Sequence, residues 1–230
     1  MPGRTDGGSR ERLNRDRVLR AAVALADDAG IDAVSMRNLA QQLGVVPMAL
    51  YKHVADKDEL LDGMVDLVIG EIEPPAPNLT WRAAIRQRIL SARQAQRRHP
   101  WARRVMEAKA APTPVVLSYL DSTIGVFLAG GLSADLTHHV MHALGSRVFG
   151  FTQELYAESQ SADPQMTAAA AEQLAAAFPN VVAVATSRPH DAGSVVGAGC
   201  DDQFEFEFAL DLLLRGIDQL HRRRWTSATA

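Results

Sequence analysis

The chain holds a single cysteine, Cys200, among 230 residues. No disulfide can close within it, neither a Cys-rich zinc site nor a secreted disulfide scaffold can be built, and a reducing cytosol fits best. No stretch approaches the roughly 18 apolar residues that span a bilayer, so no membrane partner is expected. The segment Met1–Arg20 carries six Arg and no apolar run, unlike a secretory signal, and a cytoplasmic protein is expected. Few β-branched runs alternate with period two, which argues against a sheet. Enzyme signatures are also missing. Gly193, Gly197 and Gly199 neither follow a strand nor open a helix, and there is no Gly-x-Ser-x-Gly, phosphate-binding loop or HExxH. The Ser, His and Asp residues show no spacing that suggests nucleophilic chemistry, so no catalytic residues and no cofactor are expected.

What remains is an ordinary folded composition, 47% hydrophobic and 22% charged. Net charge is −3, yet the basic charge is local. Residues 1–20 balance six Arg against Asp6, Glu11 and Asp16; residues 37–55 hold Arg37 and Lys52 and no acid; residues 82–109 hold nine bases and only Glu107. The last run reads as a solvated helix face whose stems cover apolar neighbours, with a second phosphate-binding surface as the alternative.

Residues 1–12 are Gly- and Arg-rich without periodicity and read as a flexible basic arm. From about Leu13 a helix is expected, with Val18, Ala22, Leu25 and Ala29 on one face and Gly30 ending it. Ser35 caps a short helix from Met36 to Leu43, which Gly44 closes. Pro47 suits the first position of a two-turn helix reaching Val54. Asp56 and Glu59 form a capping box that opens a helix carrying Leu60, Met64, Val68 and Ile72. The Pro-rich run 73–78 marks the internal boundary. Beyond it, helices are expected near 80–98, 101–110, 113–129, 133–159, 164–177 and 202–223, with a loop over 185–199. The fold class is therefore all-α: an N-terminal three-helix domain with its connecting helix over 13–73, then a larger helical domain over 74–230.

A basic arm, a long first helix and two short helices about a Gly turn make the layout of a helix-turn-helix, whose second helix enters the major groove of double-stranded DNA. Tyr51 and His53 suit phosphate oxygens, Lys52 a phosphate or a guanine edge, and Met48 and Ala49 thymine methyls, while Pro47 sets the entry of the helix. Arg37 can reach a base or a phosphate, and Lys57 sits in a helical first turn that favours phosphate.

The stretch from Val18 to Ile72 resembles the TetR family of bacterial transcriptional regulators. The resemblance is carried by Gly30, Ser35, Met36-Arg37-Asn38-Leu39-Ala40, Leu43-Gly44-Val45, Leu50-Tyr51-Lys52-His53-Val54 and Lys57-Asp58-Glu59-Leu60-Leu61. The run from Trp81 to Trp101 is similar to the branch containing the tetracycline repressor. Val46 stands where members often have a Ser or Thr cap, so base readout is expected to rest on few contacts, with DNA shape supplying the rest.

The resemblance implies a ligand-binding, dimerising second domain and a one-component regulator, a repressor released from a palindromic operator by a small molecule. A homodimer would set two reading helices about 34–36 Å apart. Phe204, Phe208 and Leu212 form a stripe suited to the dimer interface. Candidates for the effector site are Gln94, Thr123, His142, Arg147 and Gln153 as polar groups, with Met106, Phe127 and Phe149 as apolar wall. In the tetracycline-repressor branch a His and a Glu hold magnesium with the drug. Glu154 matches the Glu, but Met106 stands in the place of the His, so a purely organic effector is implied and no metal site. Two other readings stay open: a metal-dependent enzyme or sensor using His138, His139 and His142, and a helix-bundle adaptor whose helix-turn-helix binds protein.

Overall fold

The computed structural model describes residues 12–150, 173, 176–185 and 202–229. Its elements are α1 (Arg15–Ala29), α2 (Met36–Leu43), α3 (Pro47–Leu50), α4 (Lys57–Gly70), α5 (Trp81–Arg98), α6 (Trp101–Glu107), α7 (Pro114–Ala129), α8 (Ala134–Gly150), α9 (Pro179–Ala185) and α10 (Asp202–Arg222). Short 3-10 turns cover Ile31–Ala33 and Ser227–Thr229. No strand occurs among the described residues. The basic arm up to residue 11, most of the expected 164–177 helix, the 185–199 loop apart from Ala185, and Glu154 lie outside them. The helix Pro179–Ala185 was not expected from sequence.

Helix starts follow local chemistry. Asn14 accepts from the Arg17 amide (2.8 Å), Ser35 from Asn38 (3.1 Å), Asp56 from Glu59 (2.8 Å) and Thr113 from Val116 (3.2 Å). Each satisfies an N–H that the first helical turn leaves without a partner. Gly44 closes α2 at φ 68°, a left-handed conformation that costs glycine least. Its N–H and that of Val45 return to the Ala40 and Gln41 carbonyls, which fixes the turn into α3.

Residues 1–130 and 131–230 form separate compact units. In the first, α1 packs on α2 and α4, and α4 also packs on α5, α6 and α7. Val18, Ala22, Leu39, Leu50, Val54, Leu60 and Met64 are essentially inaccessible and share a core with Trp101, Ala102 and Val105. The Pro-rich segment at 73–78 lies within this unit.

In the second unit α8 packs on α10. Leu136, Val140 and Leu144 are buried on α8, and Phe206, Leu210, Leu214 and Ile217 on α10. Phe204, Phe208 and Leu212 lie on a different side of α10 and stay 43%, 54% and 53% exposed.

Candidate nucleic-acid interface

The short helix α3 is held from beneath. Leu50 and Val54 are buried in the core, four residues apart on one side. Val46, Met48 and Tyr51 face outward, with Met48 71% exposed, and Pro47 and Lys52 are exposed beside them. Ala49 and His53 are half-buried. The reading helix is shorter than the sequence suggests. It ends at Leu50 and continues as a turn to His53, because the Leu50 carbonyl accepts from both His53 (2.8 Å) and Val54 (3.1 Å). The Arg15 guanidinium then donates to the His53 carbonyl at 2.9 Å and pairs with Glu59. Glu59 also accepts from the amide of Ala55, the residue before the Asp56 cap, at 2.6 Å. Arg15 thus braces the turn after α3 against α1 and α4, a role that local spacing did not disclose.

The exposed rim is electropositive. Arg37, Lys52 and Lys57 are exposed, and none has an ion-pair partner among the described residues. Elsewhere in the first unit Arg20 pairs with Asp16 at 2.8 Å, Arg98 with Glu71 at 2.9 Å, Arg104 with Asp32 at 2.9 Å and Lys109 with Asp62 at 2.8 Å. Uncompensated cations around a protruding apolar ridge are what a phosphate backbone and a groove floor require.

The residues expected at an effector site are dispersed. Thr123 and Phe127 are buried on α7; the Thr123 hydroxyl donates to the Tyr119 carbonyl (2.7 Å), and the Phe127 ring lies 5.9 Å from that of Trp81. Met106 is half-buried and lines a cavity of about 200 Å³ with Asp62, Val65, Lys109, Pro112 and Val116. Gln94 is exposed on α5 and His142 on α8, so neither is enclosed within its own unit. The side chains of Arg147 and Phe149, and Gln153 as a whole, lie outside the described residues. The basic run on α5 departs from a solvated face at two positions: Arg88 and Arg93 are buried.

His138 lies edge-on to His139 and His142, at 5.2 and 4.8 Å between ring centroids, and His139 lies edge-on to Trp225 at 5.4 Å. Among the described residues no group of three His, Cys, Asp or Glu side chains is placed to hold a metal.

A helix-turn-helix whose second helix is exposed and apolar, with the cations Arg37, Lys52 and Lys57 on the segments before and after it, followed by a larger helical region, defines a DNA-binding regulator. Residues 18–64 match the family model for bacterial regulatory proteins of the tetR family, and residues 73–221 match that for the tetracyclin repressor-like C-terminal domain. The chain belongs to the TetR family, and it is a DNA-binding transcriptional regulator of the helix-turn-helix type.

Among its relatives is the HTH-type transcriptional repressor DrrR1 of Streptomyces coeruleorubidus, 30% identical over 96% of this chain and 83% of that protein. The class D tetracycline repressor of Escherichia coli is 36% identical over a shorter stretch, 38% of this chain and 42% of its own length. The crystal structure of the Streptomyces coelicolor TetR family protein ActR in complex with (S)-DNPA is 27% identical and superposes with a TM-score of 0.65 over 90% of this chain and 98% of that one.

Proposed function

We propose that the chain is a homodimeric repressor that occupies a palindromic operator and is released by a small organic effector. The observation that carries this is the outward ridge of α3, flanked by Arg37, Lys52 and Lys57 without acidic partners among the described residues. Pro47, Met48 and Ala49 meet base edges and methyl groups; Tyr51, His53 and Lys57 meet phosphates. The functional division is a DNA-binding domain up to about residue 73 and an effector-binding and dimerising domain beyond it. The curated relative named a repressor and the ligand complex of ActR support the reading.

The exposed stripe of Phe204, Phe208 and Leu212 on α10 supports a two-fold helical interface, because a monomer gains nothing by leaving three large apolar side chains in water. Effector binding acts by favouring a conformer whose two α3 helices cannot engage both half-sites together. Helix α4 is suited to carry that change. It packs on α1 at one side, while Lys109 pairs with Asp62 and the Thr113 hydroxyl donates to Asp66 from the α6–α7 segment. Effector contacts in the first unit are assigned to Met106, Thr123 and Phe127. The chain works in the cytoplasm as a transcription factor and not as a catalyst, and no described helix is long and apolar enough to cross a membrane.

The test is binding of the full chain to fragments of the source genome across a salt series, followed by footprinting. A two-fold footprint with affinity falling steeply as salt rises is expected. A salt-independent association, or a Phe208→Lys variant that remains dimeric and fully active, would count against the dimer on DNA.

A further inference from the structure

Buried polar side chains in the first unit mostly find partners. His99 meets two carboxylates, and Thr123 donates to a carbonyl. Arg88 differs. It is 6% exposed on α5. One terminal nitrogen donates to the Ser122 hydroxyl (2.6 Å) and the Tyr119 carbonyl (3.3 Å), and the guanidinium carbon sits 4.5 Å from the centre of the Tyr119 ring. Its Nε is buried with no acceptor, and among the described residues no carboxylate pairs with it.

A guanidinium cannot escape burial by shedding its proton, so it carries a full charge in a dry place. Buried charges are normally paired, because an isolated one is costly to desolvate. The surroundings are dry enough for this to matter. Burial pushes the Tyr119 phenol above its ordinary value of 10.0 although the neighbouring Arg88 charge pulls it down. The ring face and two neutral oxygens orient the guanidinium and leave its charge uncancelled.

We propose that Arg88 anchors an anionic effector, an organic acid whose carboxylate accepts from the unpartnered Nε of its guanidinium. The inference deepens the effector-release reading and rests on it. A carboxylate matches the planar fork and neutralises it in a low-dielectric site, whereas a neutral ligand of the same shape leaves the charge bare. Thr123, bonded to the same Tyr119 carbonyl as Arg88, belongs to the same polar cluster.

The experiment uses the full chain with 1-naphthylacetate and 1-naphthylacetamide, two probes of like shape that differ in charge. Calorimetric titration is expected to show the acid binding about tenfold or more tightly than the amide. Arg88→Met erases that preference with little change in amide affinity, and its unliganded Tm is equal or higher, since a buried charge has been removed. Equal affinity for acid and amide, binding of neither, or an undiminished preference in Arg88→Met overturns the assignment. A lower unliganded Tm with the preference intact makes Arg88 a clamp between α5 and α7 and overturns it equally. Should Arg88→Met fail to fold, Arg88→Lys decides: it keeps the charge and loses the fork, so the preference must shrink. Genomic-fragment binding by the unaltered chain is measured in parallel. Its absence would sink the regulator reading, independently of Arg88.

Discussion

His99 Nδ1 lies 2.8 Å from an oxygen of Asp27, a residue 72 positions earlier in the chain. The other ring nitrogen, Nε2, is 3.2 Å from both oxygens of Glu71, and the Trp101 indole N–H donates to the same Asp27 oxygen at 2.6 Å. One buried imidazole at the corner between α5 and α6 therefore ties the last turn of α1 to the C-terminal end of α4. These two helices carry the α2–α3 pair, so the network fixes the reading head to α5 and α6 without passing through α3.

Breaking this link should lower stability. Hydrogen bonds to charged groups contribute about 1.5–3 kcal/mol each, less where a partner is partly solvated, as Glu71 is. His99→Phe, which keeps a ring of similar breadth, is expected to lower the urea unfolding free energy by about 2 kcal/mol. Trp101→Phe loses the indole donor and also ring volume from the core, and should cost about 2 kcal/mol or more. An unfolding midpoint unchanged in His99→Phe would show that the packing of the ring, and not its two carboxylate partners, holds the corner.

Lys52 makes the complementary prediction, since it is exposed and has no ion pair among the described residues. Lys52→Ala should leave the unfolding curve within about 0.5 kcal/mol of the parent. Its DNA affinity should fall, and the slope of log K against log salt should become shallower by about 1 for each subunit on the duplex. Fluorescence anisotropy over a salt series reads both quantities. Unaltered affinity and slope would remove Lys52 from the interface.

What could be read in advance follows the range of the interactions. The Ser35 and Asp56 caps and the Gly44 turn depend on residues within five positions, so residue type and spacing disclosed them. The length of α3 did not follow, because the turn after Leu50 is held by Arg15, 38 residues away from His53. The burial of Arg88 is hidden for a different reason. Nine bases in one run suggest a solvated face, yet Arg88 falls in step with Ile85, Ile89 and Ala92 on the buried side of α5. That apolar stripe was in the sequence; the charge of the run obscured it. The split of α10 into a buried Phe206–Leu210–Leu214 row and an exposed Phe204–Phe208–Leu212 row depended on where α8 lies.

In the second unit, Asp135 accepts from both the amide and the hydroxyl of Ser227, each at 2.7 Å. The Ser227 amide first and its hydroxyl second hold the Asp135 carboxyl below the ordinary 3.8, with a smaller contribution from His139. A carboxylate with a lowered value in the folded state supplies its contact fully above the unfolded value and loses it as pH falls through the folded one. The tie between the start of α8 and the C-terminal turn should thus persist at neutral pH and release only in acid below 3.8. The Ser227 amide resonance should shift through that window and lose its response in Asp135→Asn. A Ser227 amide that titrates identically in Asp135→Asn would assign the transition to another group.

Gly130 has an ordinary helical φ of −75°, so space and not backbone freedom determines the residue there. A Cβ at this position would come within 2.6 Å of the Trp81 Cβ and 2.7 Å of its Cγ, atoms close to the backbone that cannot swing aside. The Trp81 ring in turn packs against Phe127, which is completely buried on α7. Gly130→Ala should therefore push Trp81 off Phe127 and separate the start of α5 from the end of α7, at a cost of about 1–3 kcal/mol. Calorimetric unfolding measures the loss, and tryptophan fluorescence should shift with it. The companion variant Gly125→Ala, on the same helix with nothing within 4 Å of the added methyl, should gain up to about 1 kcal/mol from helix propensity. Equal effects at the two positions would mean that the Trp81 contact does not constrain α7.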